Sequence, residues 1–248
     1  MAARPVRPLS ILTYHQIAPA APRGTPFRGL SVDPARFARH MRWLRRLGWQ
    51  GLSMRDLDPY LRGEREGKVF GLTFDDGYRN VLEHALPVLR ETGFTATNYL
   101  VAAHPGGENF WDVPKGVPAS PLMRPDEIQT WVAAGQEVGA HTLDHADLTA
   151  TAALEAQRQI TQARGVLEAV AQQPVEAFCY PYGHYGPEHV DMARAAGYRT
   201  ATTTRRGRVH AGDDLWALPR VPVLRTTHFP ALMQKLMTAY EDRRGARG

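Results

Sequence analysis

Apolar residues recur along this chain in two rhythms: short runs bounded by turn residues, and longer stretches spaced at three and four. The short runs predict strands over 10–15, 69–74, 95–102, 136–142, 175–180, 198–204 and 218–224. Helical spacing predicts helices over 34–47, 53–61, 78–92, 126–134, 149–172, 187–196 and 229–240. Asp33 before Pro34 reads as a cap with a first-turn proline, and Gly48, Gly93 and Gly197 read as stops. Phe37, Met41, Leu44 and Leu47 recur at helical spacing in the first helix; Leu154, Ile160, Val166, Leu167 and Val170 give most of an apolar stripe in the longest one. Seven strands mostly separated by helices argue for an α/β domain with parallel pairing, either a barrel or an open wound sheet. Residues 104–125, rich in Gly and Pro and containing Trp111 and Asp112, predict a long loop over one end of the domain.

The run Val69-Phe70-Gly71-Leu72-Thr73-Phe74 stops abruptly at Asp75 and Asp76, followed by Gly77. Strand neighbours face opposite ways, so two carboxylates converge only where the chain leaves the sheet, and Gly77 permits the dihedrals for that departure. A turn whose Asp caps the next helix is the plain alternative. A second polar group stands just past another strand, His141-Thr-Leu-Asp-His145. Imidazoles four apart share one face of a helical turn and can hold one metal, with a carboxylate as third ligand. In a parallel barrel all C-terminal strand ends face the same way, which would bring the acidic pair and the histidine pair together.

Composition narrows the partners. The chain has 248 residues, 43% of them hydrophobic, enough for one large α/β domain over 1–248 with its core at about 9–226. The net charge of +5 comes mainly from scattered arginine without aromatic interleaving, which argues against nucleic acid. No apolar run reaches the roughly 18 residues needed to span a bilayer. The basic start leads into Leu9 to His15 without the apolar stretch of an export signal, so a cytoplasmic or membrane-peripheral location is expected, or an extracytoplasmic one if a signal was removed. The single cysteine, Cys179, excludes an internal disulfide. No oligomeric state is implied.

Thr73-Phe-Asp-Asp-Gly77 with His141-Thr-x-x-His145 resembles the first two motifs of the polysaccharide deacetylases, the NodB-like carbohydrate esterases. Phe178-Cys-Tyr-Pro-Tyr-Gly183 is similar to their third motif, and Trp216-Ala-Leu-Pro-Arg220 falls where the fourth belongs. The resemblance implies a distorted (β/α)7 barrel and a divalent cation, zinc first with cobalt, nickel or iron as alternatives, on Asp76, His141 and His145. It implies Asp75 as general base, the backbone N–H of Tyr182 beside Pro181 as an oxyanion donor, and an N-acetylated glycan as substrate. Leu12-Thr-Tyr-His15 is similar to the permuted subgroup that deacetylates poly-β-1,6-N-acetylglucosamine, which implies His15 as general acid; His228 is the rival. Cys179 stands where the family has an arginine that orients the base, so either the site tolerates the loss or Arg220 supplies the charge from another direction. Trp216 and Leu218 are expected to wall an acetyl slot, and Trp111 to stack on a sugar ring. The alternatives are a silent glycan-binding barrel, a metallo-phosphoesterase, or a deacetylase of peptidoglycan, chitin oligosaccharide or a lipid-linked sugar.

Overall fold

The alternation of side chains along each strand sets the architecture. In this computed structural model, which describes residues 8–246, strands β1 (Ile11–Tyr14), β5 (Val69–Phe74), β6 (Thr97–Leu100), β7 (Glu137–Ala140), β8 (Ala177–Cys179), β9 (Thr200–Arg206) and β10 (Leu218–Pro222) are the seven expected ones. They run in the order β1-β10-β9-β8-β7-β6-β5, and β5 pairs back onto β1, Ile11 opposite Gly71 through Tyr14 opposite Phe74, so the sheet closes. Every barrel pairing is parallel. The expected barrel is therefore present, and the open sheet is not. Residues 1–7, on which the export argument partly rests, and Arg247 in the basic tail lie outside the described residues.

Three short strands were not anticipated. β2 (Gln16–Ile17) and β3 (Ser31–Val32) pair beside the barrel rim, and β4 (Gln50–Leu52) adds to the N-terminal half of β5. Helices α1 (Pro34–Arg46), α2 (Met54–Leu61), α3 (Arg79–His84), α4 (Leu86–Thr92), α5 (Pro125–Ala133), α6 (Ala153–Ala171), α7 (Pro187–Ala195), α8 (Phe229–Met237) and α9 (Tyr240–Gly245) are the α-helices among the described residues. The single helix expected over 78–92 is two, because Pro87 has no N–H to continue the ladder. The stripe expected on α6 is also corrected: Leu154 and Val166 are exposed, and Ala156, Gln159, Ile160, Ala163 and Leu167 face inward. No helix among the described residues is long and apolar enough to cross a membrane.

Alternate residues divide cleanly between two packing regions. Leu12, Tyr14, Phe70, Leu72, Phe74, Val138 and Phe178 pack outward against the helices, whereas Ile11, Val69, Tyr99, Cys179 and Leu218 form a separate inner cluster. The same period-two alternation puts Thr13, His15, Thr73, Asp75, His141 and Arg220 on the inner face. Interior residues at the ends of different strands thereby meet at one rim.

Candidate metal and acid–base centre

Backbone geometry concentrates at this rim. Six described non-glycine residues have positive φ; Asp76, Thr142, His145 and Tyr182 carry or flank the site, and Phe27 lines its cleft. Such conformations are disfavoured, most of all for β-branched Thr142, and persist where surrounding contacts enforce them. At the acidic pair, Asp76 itself takes φ 76° and Gly77 φ 82°. The departure from the sheet thus begins one residue earlier than expected from Gly77 alone, which aims consecutive carboxylates into one space.

Asp75 is 2% exposed and is held by Arg220, whose Nη1 donates to Oδ1 at 2.7 Å and Nη2 to Oδ2 at 2.8 Å. Arg220 is itself 1% exposed; its Nε donates to the Thr203 carbonyl at 2.8 Å, and its Nη2 lies 3.2 Å from Cys179 Sγ. The guanidinium therefore lies beside Cys179 and reaches the carboxylate from β10. Burial pushes the Asp75 carboxyl up, but Arg220, with His15 and His141, outweighs it and holds the group below its ordinary value. His15 Nε2 lies 3.8 Å from Asp75 Oδ2, with its side chain partly open to the cleft. His228, by contrast, caps α8 by accepting from the Ala231 N–H and takes no part in the site.

Asp76 Oδ1 lies 3.5 Å from His141 Nε2 and 3.3 Å from His145 Nε2. All three residues are buried, with donor atoms within 4.8 Å of one another. His141 Nδ1 donates to the Cys179 carbonyl at 2.7 Å, leaving Nε2 with its lone pair toward the cluster when the ring is neutral. Burial opposes charge on Asp76, but the two imidazoles outweigh it and hold its carboxyl well below the usual range. Burial pushes His145 down, against the pull of Asp76. A carboxylate and two Nε2 atoms converging without intervening protein, one tautomer fixed from behind, make a donor set that suits a divalent cation of the zinc type.

The histidine spacing works differently from the helical face first inferred. Residues 141–145 form a turn with Thr142 at φ 61° and His145 at φ 57°. Gln159 on α6 ties this turn down, its Oε1 accepting from the Leu143 and Asp144 N–H groups at 3.0 Å each. Sequence reading missed Gln159, because the stripe expected on α6 counted Leu154 and Val166 as inward, whereas small alanines flank Gln159 on the side that faces the barrel.

Of the remaining expected residues, Tyr182 lines the cleft with Leu30 and Thr204, and buried Pro181 opens the turn that carries it. Three are not where they were expected. Leu218 begins β10 and packs in the inner cluster with Ile11 and Met54, at the opposite end of the strand from the rim. Trp216 lies on the outer side, its Nε1 donating to the Tyr198 carbonyl and its ring covered by Arg194, so neither walls the cleft. Trp111 is 8% exposed and its face is already stacked on His145, which removes it as a sugar platform. Beyond the cleft, a groove of about 270 Å³ runs between the loop around 18–30 and the loop around 112–121, lined by His15, Gln16, Arg28, Asp112 and Ser120, with Asn80 tied to Gln16 and the Ile17 N–H. A lining that mixes charged and neutral hydrogen-bonding groups suits hydroxyl-rich ligands.

The family model described as polysaccharide deacetylase matches residues 62–201, a span holding Asp75, Asp76, His141, His145 and Cys179, with His15 and Arg220 on either side. YxkH of Bacillus subtilis (strain 168), provisionally assigned to the polysaccharide deacetylases, is 26% identical over 217 residues, covering 87% of this chain and 71% of its own. The poly-β-1,6-N-acetyl-D-glucosamine N-deacetylase of Staphylococcus aureus (strain MRSA252) is 21% identical over 204 residues, covering 78% of this chain and 68% of its own. The solved structure of BC0361, a polysaccharide deacetylase from Bacillus cereus, superposes with a TM-score of 0.79 at 26% identity, covering 93% of this chain and 69% of that one. The Streptococcus pyogenes deacetylase PplD, solved with acetate, shares the fold with a TM-score of 0.81 at 24% identity, over 94% of this chain and 99% of that one.

Proposed function

Because the chain belongs to the polysaccharide deacetylase family, we propose that it is a metal-dependent N-deacetylase that hydrolyses the acetamide of an N-acetylated amino sugar in a glycan, releasing acetate and a free amine. The observation that carries this reading is one carboxylate, Asp75, standing beside a separate three-donor set on the same rim. Asp76, His141 and His145 would hold the cation, zinc by the donor set with cobalt, nickel or iron as alternatives. When bound, a divalent cation supplies Lewis acidity, polarising an amide carbonyl and acidifying water.

The chain's own groups then divide the proton work. Asp75, kept ionised by Arg220, accepts the proton from attacking water, and the fork of Arg220 fixes which way its oxygens point. The backbone N–H of Tyr182 donates to the oxyanion of the tetrahedral intermediate. His15, across the cleft from Asp75, delivers a proton to the departing nitrogen so that it leaves as an amine. The polar groove past His15 takes the neighbouring sugars. The S. aureus relative's name and the Tyr14-His15 context favour a β-1,6-linked N-acetylglucosamine polymer as substrate.

The test is acetate release from β-1,6-linked N-acetylglucosamine oligomers, with chitin and peptidoglycan fragments in parallel. Release that Asp75→Asn abolishes while the cation stays bound supports the reading. Equal release by Asp75→Asn, or a glycan that binds without turnover, would point to another base or to a silent glycan-binding barrel.

A further inference from the structure

His145 differs from His141 in how its ring is held. His141 is oriented by a hydrogen bond to the Cys179 carbonyl, whereas His145 Nδ1 is buried with no hydrogen-bond partner among the described residues. Aromatic rings surround it instead. Trp111 stacks on its face with centroids 4.7 Å apart and planes 12° from parallel, and Tyr182 meets it edge-on at 4.6 Å and 90°. His141 closes a third side at 4.8 Å and 80°.

The two outer rings are linked through Lys115. Lys115, four residues beyond Trp111, sits 4.1 Å over the ring of Tyr182 and pairs with Asp112 at 3.1 Å. Residues 111–115 therefore reach His145 directly through the indole and indirectly through Lys115 and Tyr182. Tyr182 is in the left-handed region at φ 59°, and at Gly183 a Cβ would run into Thr204 Oγ1, so the turn that presents this ring holds a disfavoured backbone in close contact with Thr204. Trp111 is buried with its indole N–H unpartnered, so no hydrogen bond from its Nε1 accounts for its position.

We propose that Trp111 is a positioning residue: together with Tyr182 and Lys115 it braces the His145 imidazole by stacking, taking the place of the hydrogen bond that usually orients a ligating histidine. Offset stacking fixes the plane of the ring, and Nε2 lies in that plane, so loss of the indole frees the direction of the lone pair. The inference rests on the proposed role of His145 as a ligand. It makes the long loop a determinant of cation affinity in place of a sugar platform.

The experiment titrates metal-stripped protein with Co²⁺, followed by calorimetry and by the visible absorption of the ion, for wild type, Trp111→Leu and Trp111→Phe. Trp111→Leu keeps apolar bulk and is expected to bind about tenfold to a hundredfold more weakly, the range found when a supporting contact of a ligand is lost. Trp111→Phe keeps a stacking face and is expected within about threefold of wild type by the same reasoning. Without any metal, the His145 ring protons should resonate upfield in wild type and Trp111→Phe and move downfield in Trp111→Leu. Equal Co²⁺ affinity in folded Trp111→Leu, or a Trp111→Phe variant as weak as Trp111→Leu, would overturn the brace alone. Failure of wild type to take up Co²⁺ would overturn the ligand reading and the brace with it.

Discussion

Replacing Arg220 by Met removes a buried cation while roughly keeping its volume, and Asp75 is left with burial largely uncompensated. The structure shows how much is lost: two charge-assisted bonds of 2.7 and 2.8 Å to Asp75 and a bond to the Thr203 carbonyl, with both partners almost wholly out of solvent. Breaking a buried pair by deleting one partner costs about 3–5 kcal/mol, because the remaining charge keeps its desolvation penalty. The pH dependence gives the sharper test. In wild type the Asp75 carboxyl sits below its ordinary value, so its stabilising contribution is present at neutral pH and lost only as pH falls through that depressed value. In Arg220→Met the burial that raises the group is no longer outweighed; its pKa moves above the ordinary value, and protonation on folding relieves the penalty. The stability deficit of the variant should therefore shrink as pH falls from 7 toward 5. Urea unfolding of chelator-treated wild type and variant across that range measures it, and Asp75→Leu combined with Arg220→Met should recover most of the loss. A deficit under about 1 kcal/mol, unchanged with pH, would refute the claim that this pair controls the base.

His15→Gln should lower kcat by about 10²- to 10⁴-fold with KM nearly unchanged, as expected for loss of a general acid, and steady-state kinetics on the oligomer would measure the split. His40, buried under α8, is pushed by burial, with Arg36, Arg39 and His228 adding, from 6.5 to about 4. Its neutral form is the native one, so stability should fall as pH drops from 6.5 toward 4 and this contribution should stop changing below that. Its share is about 2 kcal/mol between pH 7 and 5, and denaturant unfolding of His40→Leu should lack that slope. Gly183→Ala places a Cβ against Thr204 at a left-handed position, φ 73°, and should cost about 1–3 kcal/mol, read as a lowered Tm, with acetate release impaired as the Tyr182 turn shifts.

Much of this arrangement was legible because the barrel strands are apolar runs that end on polar residues. The run from Val69 to Phe74 declares both its burial and its end, and Gly93 takes the left-handed conformation its position predicts. β4 was not legible: three residues with Gly51 in the middle, packed under Phe70 and Phe94, carry no alternation to read. α6 misled because it approaches the barrel through alanines and Gln159, leaving Leu154 and Val166 in solvent. The histidine spacing identified the right residues through the wrong geometry, since positive φ at Thr142 and His145, which brings both Nε2 atoms onto Asp76, has no signature in residue type. The same limit applies to aromatic residues in loops. Trp111 reads equally well as a sugar platform or a buried support, and only its stacking on His145 separates the two.

Deacetylation, as proposed, depends on one cation held by Asp76, His141 and His145. The most direct measurement of that dependence is a titration of metal-stripped protein with Zn²⁺ or Co²⁺, recording ion bound and acetate released at each addition. Activity that is absent at the start and saturates at one equivalent, and a His145→Ala variant that loses both uptake and turnover, are the results predicted. Full acetate release before any ion is added, or uptake unchanged in His145→Ala, would contradict it.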